Sequence, residues 1–68
     1  MFYILKKSII GQPTVPEQPD EIPVKAGTYC KLSYHDHAGC EFETWSGTFF
    51  RVLRGSIESQ ALQPITPE

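Results

Sequence analysis

From Thr28 to Arg54, apolar and polar residues alternate through three segments separated by turn residues. That period predicts a three-stranded antiparallel meander. The first turn, Asp36-His37-Ala38-Gly39, has Asp at the first position of a type I turn and Gly at the fourth. This is the chemistry of a three-residue hairpin loop closed by a glycine bulge. Placing Asp36 opposite Cys40 pairs Tyr34 with Phe42, Leu32 with Thr44 and Cys30 with Ser46. Alternation then gathers Cys30, Leu32, Tyr34, Cys40 and Phe42 on one apolar face. Tyr29, Lys31, Ser33, Glu41, Glu43 and Trp45 fall on the other, which is mostly polar. Ser46-Gly47 supplies a second tight turn, leading into a strand from Thr48 to Arg54. A competing pattern makes Phe49, Phe50, Leu53, Ile57 and Ala61 one face of a helix. Gly55 inside that helix would cost about 1 kcal/mol relative to Ala, and the Phe-Phe-Arg-Val start favours a strand. Strand is therefore expected to Arg54, with 55–63 open to either form.

On the N-terminal side, Phe2 to Ile10 reads as a first strand, apolar on both faces and ended by Gly11. Residues 11–27 form a long Pro-rich loop. Pro13, Pro16 and Pro19 recur every third residue, the period of a polyproline II helix. A stiff acidic loop that blunts a sheet edge is the expectation. An SH3 or WW ligand would need a flanking basic residue, and none stands nearby. Ala26-Gly27 is a turn before the meander. After Gly55, Ser59 to Leu62 predicts one turn of 3₁₀ helix. Leu62 and Ile65 return as a short strand that Pro64 confines to an edge, and 66–68 is a frayed tail.

The resulting order of strands and loops resembles the SH3-like five-stranded antiparallel barrel, with 11–27 in place of its long first loop. The resemblance lies in loop lengths over most of the chain, without a family motif. It implies an all-β fold. An OB-like barrel and a β-meander with a C-terminal helix are the alternatives. Small reductases and tail-binding modules share the SH3-like barrel, so the fold assigns no function.

At 68 residues the chain is one domain, 1–68, near the lower size limit for an independent core. Val, Ile, Leu and Phe number 3, 6, 4 and 4, a quarter of the chain. That is too apolar for disorder and thin for a free-standing barrel, so self-association or a partner is expected. The net charge of -2 carries none of the basic excess of a non-specific nucleic-acid binder. Lys6 and Lys7 follow the first apolar run rather than precede it, unlike a signal peptide, and no run approaches membrane-spanning length. A cytoplasmic location without membrane contact is expected.

Cys30, His35, His37 and Cys40 have the residue types of a zinc site. In the predicted register, however, Cys30 lies roughly 20 Å from the turn, at about 3.3 Å per residue. The same span separates Cys30 from Cys40 too far for a disulfide. Cys40 beside His35 or His37 suggests thiolate chemistry, but nothing supplies an oxyanion hole. No metal, cofactor or enzymatic activity is expected. The distinctive surface is instead Tyr29, Lys31, Trp45, Phe49, Arg51 and Arg54, where aromatics interleave with cations. Such a face is a binding hot spot for a protein partner or a second copy. The alternative is a nucleic-acid stacking platform, which Glu41 and Glu43 on the same face oppose.

Overall fold

The computed structural model describes residues 1–65, so the tail at 66–68 lies outside the described residues. The chain is all-β. Its elements are β1 (Phe2–Leu5), β2 (Ile9–Gly11), β3 (Ile22–Val24), β4 (Tyr29–His35), β5 (Gly39–Thr44) and β6 (Phe49–Leu53). A 3₁₀ turn (Glu58–Ala61) and β7 (Leu62–Ile65) follow. Five strands form one antiparallel sheet in the order β6-β5-β4-β1-β7, and β2 and β3 form a second, two-stranded sheet. Among the described residues neither sheet closes on itself by strand pairing. A closed barrel is therefore not what the ladders make.

The first apolar stretch is two strands rather than one. Lys6, Lys7 and Ser8 break it, and the chain passes from the large sheet to the small one. Leu5 and Ile9 are both buried, each from its own layer, which explains the apolar residues on both apparent faces. The Pro-rich loop is also more structured than its composition suggests, since Ile22–Val24 pairs with Ile9–Gly11. Pro13, Pro16 and Pro19 do not run as an extended polyproline helix. The chain turns at Val15, where the Gln18 N–H donates to the Val15 carbonyl (3.2 Å). The Gln18 Oε1 accepts from Thr14 N–H and Thr14 Oγ1, and Gln18 Nε2 donates to the Phe49 carbonyl at 2.7 Å, tying the loop to β6.

The core lies between the layers. β2 and β3 contribute Ile9, Ile22 and Val24, and the large sheet contributes Leu5, Cys30, Phe42, Phe50 and Val52, with Ala61 closing one end. Phe42 and Phe50 stack at 5.5 Å between ring centroids, and Tyr3 meets Phe42 edge-on at 5.3 Å. Gln12 and Arg51 exchange backbone hydrogen bonds of 2.8 Å, joining the small sheet to the edge of the large one.

The β4–β5 register departs from the expected one. His35, not Asp36, stands opposite Cys40, and a bulge between Leu32 and Tyr34 shifts the remainder. Beyond it Leu32 faces Phe42 and Cys30 faces Thr44. The total shift is two residues, so each side chain beyond the bulge keeps its expected face. Tyr34 is the exception, turned outward and exposed. Gly39 has no positive φ, and no glycine bulge closes the turn. Instead, Asp36 Oδ1 accepts the N–H groups of Ala38 and Gly39, both at 2.9 Å.

Candidate interaction face

The exposed aromatic residues are set by backbone that is held in place. Trp45 follows β5 at the turn into β6, and its N–H donates to the Tyr29 carbonyl (3.1 Å). Thr44, one residue earlier, is the buried polar anchor of that turn. Its Oγ1 accepts the Thr48 N–H at 3.1 Å, and its carbonyl accepts the Gly47 N–H at 2.9 Å. Gly47 sits at φ +89°, a conformation that L side chains rarely adopt, which is what this tight turn requires. The turn thus displays the indole while the N–H groups of Trp45, Gly47 and Thr48 are held by Tyr29 and Thr44. Trp45 is 92% exposed, so it belongs to the surface and not to the core.

Tyr29 begins β4 opposite Ile4, and Phe2 in β1 stands between Lys31 of β4 and Ile65 of β7. Tyr29 and Phe2 are 57% and 56% exposed. With Trp45 and Ile65 they line an open depression of about 490 Å³ whose walls are almost wholly apolar. Lys31 and Glu43, cross-strand neighbours, border it. The sequence pattern does not mark Phe2 and Ile65 as part of this surface. The outward alternation of Phe2 and Ile4 is visible in the sequence only if β1 ends at Leu5.

The other expected residues go elsewhere. Phe49, opposite Glu43 in β6, lies on the same outward rung but lines a separate depression with Thr14, Val15 and Gln18. Arg51 is half-buried and engaged twice: Nη2 reaches Asp36 Oδ1 at 2.8 Å and Nη1 reaches Glu41 Oε2 at 3.1 Å. Asp36 is held below the usual carboxylate range, first by the Gly39 N–H and then by the Arg51 guanidinium. Arg54 Nη2 donates to the Asp36 carbonyl (2.9 Å). Of the three cations, Lys31 alone stands beside the aromatic depression.

Cys30 and Cys40 are both free. Burial pushes the Cys30 thiol up to about 11. Cys40 sits across from His35, but among the described residues no three His, Cys, Asp or Glu side chains gather where a metal ion could be held. No described helix is long and apolar enough to cross a membrane. Comparison with known proteins finds no matching family model, no matching curated protein and no matching solved structure.

Proposed function

We propose that this chain is a small non-enzymatic binding module of SH3-like architecture. It docks a protein surface through Phe2, Tyr29, Trp45 and Ile65. The strand order β7-β1-β4-β5-β6 supports the architecture, as does a hairpin set into the first long connection and a 3₁₀ turn before the last strand. The observation that carries the function is Trp45, almost wholly exposed on a fixed turn beside two other exposed aromatics. At 150–250 Å² per aromatic side chain, the three leave about 400 Å² of ring surface in water. Isolated exposed apolar residues are ordinary, and a contiguous patch of about 400 Å² is the size of the largest patch on a typical monomer, which is often functional.

On the large sheet, recognition falls to side chains because its edges are blunted. Along β6, Arg51 is bridged to Gln12, the Phe49 carbonyl is taken by Gln18 and the Leu53 carbonyl accepts from Ser56. On β7, Pro64 has no N–H to offer an added strand. Strand addition therefore has little to pair with.

The nucleic-acid reading has less support. Arg51 and Arg54 are engaged by the β4–β5 turn, and Glu43 stands beside Lys31. The test is selection of displayed peptides on the immobilised chain, with binders to Trp45→Ala subtracted. Peptides with apolar anchors are expected, binding with little salt dependence. Oligonucleotides that quench Trp45 fluorescence with steep salt dependence would overturn the reading in favour of nucleic acid.

A further inference from the structure

We infer that the partner this face fits is a second copy of the same chain, packed face to face about a two-fold axis between β4 and β5. The inference rests on the reading of the face as a docking surface. Its basis is the order of residues along one rung. Pairing across the sheet runs Ile65, Phe2, Lys31, Glu43, Phe49, from β7 through β1, β4 and β5 to β6. Cross-strand partners project from the same face, so these five side chains form one row. On the neighbouring rung of that face, Tyr29 stands beside Trp45, linked through the Trp45 N–H.

A two-fold axis parallel to the strands and midway between β4 and β5 exchanges the two strands in the facing copy. Lys31 then meets Glu43 of the second copy, and Glu43 meets its Lys31. Tyr29 meets Trp45 in the same way, and Phe2 meets Phe49. Four of the five residues in the row thus find a complement, Lys31 with Glu43 and Phe2 with Phe49, and Ile65, on the outermost strand, lies outside the pairing. A rung carrying one charge of each sign does not repel its own image, whereas two lysines or two glutamates would. Self-complementarity of this kind is what an isologous contact requires. The strands of the two copies would run nearly aligned, the common geometry of sheets packed face to face. The rings supply about 400 Å². Lys31, Glu43 and Phe49 extend the contact toward the roughly 800 Å² per partner of a stable interface. A two-fold contact of this kind closes as a dimer instead of propagating, and the blunted edges of the large sheet add no second contact.

The test is sedimentation of the wild type, Lys31→Glu, Glu43→Lys and an equimolar mixture of the two variants. The wild type is expected to dimerise with concentration. Each variant turns two attractions into two repulsions and should weaken its dimer roughly tenfold. Mixing should restore dimers, because a copy acidic at both positions then faces a copy basic at both, and each contact is attractive. A fold defect would not be rescued by mixing. A dimer indifferent to both swaps, or open-ended assembly, overturns the inference. A wild type monomeric to millimolar concentration that still selects Trp45-dependent peptides overturns this pairing alone. Loss of both overturns the docking reading as well.

Discussion

Arg51 of β6 reaches Asp36 in the β4–β5 turn, with Nη2 at 2.8 Å from Oδ1 and 3.1 Å from Oδ2. The pair clasps the β4–β5 turn to β6, the strand two positions from β4 in the sheet, and the second guanidinium nitrogen holds Glu41. An arginine so engaged must break charge-assisted bonds before it can meet a phosphate. The clasp therefore separates a structural group, Asp36, Glu41, Arg51 and Arg54, from the aromatic face.

The clasp gives stability a pH dependence with a definite sign. The Asp36 carboxyl is depressed below its ordinary 3.8 in the folded chain, chiefly by the Gly39 N–H and Arg51. Its contribution is present above that ordinary value and is lost as pH falls from there through the lower folded value. Asp36→Asn keeps the acceptor oxygen without the charge. Denaturant titrations at several pH values should find it less stable than wild type at neutral pH. Its stability should also change less as the medium is acidified below the ordinary carboxylate range.

Trp45 and Phe50 should behave oppositely although both are aromatic. Phe50 is 0% exposed and stacks on Phe42, so Phe50→Ala should cost about 3–5 kcal/mol. That is much of what a small domain has. Trp45→Ala should change unfolding free energy by no more than about 0.5 kcal/mol. Equilibrium unfolding followed by circular dichroism measures both.

Gly39 answers to space instead of φ. A Cβ there would collide with the Val52 carbonyl oxygen and lie 3.1 Å from Leu53 Cα, where backbone must give way. Gly39→Ala should destabilise by about 1–3 kcal/mol, read as a lower denaturant midpoint.

The cysteines should differ in reactivity. Cys30 is 3% exposed, and its thiol, pushed up to about 11, stays protonated at neutral pH. The half-buried Cys40 should alkylate first, with Cys30 reacting only on unfolding, as mass spectrometry of native and denatured samples would show. The raised thiol also makes stability present below the ordinary value of 9.0 and diminishing as pH rises from there toward 11.

Much of the meander is legible in the sequence because its faces alternate on either side of one bulge. Cys30, Leu32 and Phe42 point inward, and Tyr29, Lys31 and Trp45 outward, even though the register differs by two residues. The bulge between Leu32 and Tyr34 has no sequence signature, and it alone turns Tyr34 outward. Alternation also cannot reveal that Phe2 through Ile10 crosses between two sheets, because Leu5 and Ile9 are equally apolar. Pro23 hides the Ile22–Val24 strand, yet a short two-stranded hairpin tolerates it opposite Ile10. The candidate face is half visible. Tyr29, Lys31 and Trp45 follow from parity, whereas Ile65 and Phe2 join them only through the β1–β7 and β1–β4 pairings. Arg51 and Glu41 share a face by alternation, but their joint capture with Asp36 depends on where the turn folds.

The single tryptophan offers the most direct measurement: Trp45 emission as protein concentration rises from micromolar to millimolar, at low and moderate salt. Burial of the face against a second copy predicts a concentration-dependent shift to shorter wavelength, with the midpoint moved only a few-fold by salt as the two Lys31–Glu43 contacts are screened. Emission that remains that of a water-exposed indole throughout, and shifts only when oligonucleotide is added at low salt, would contradict it.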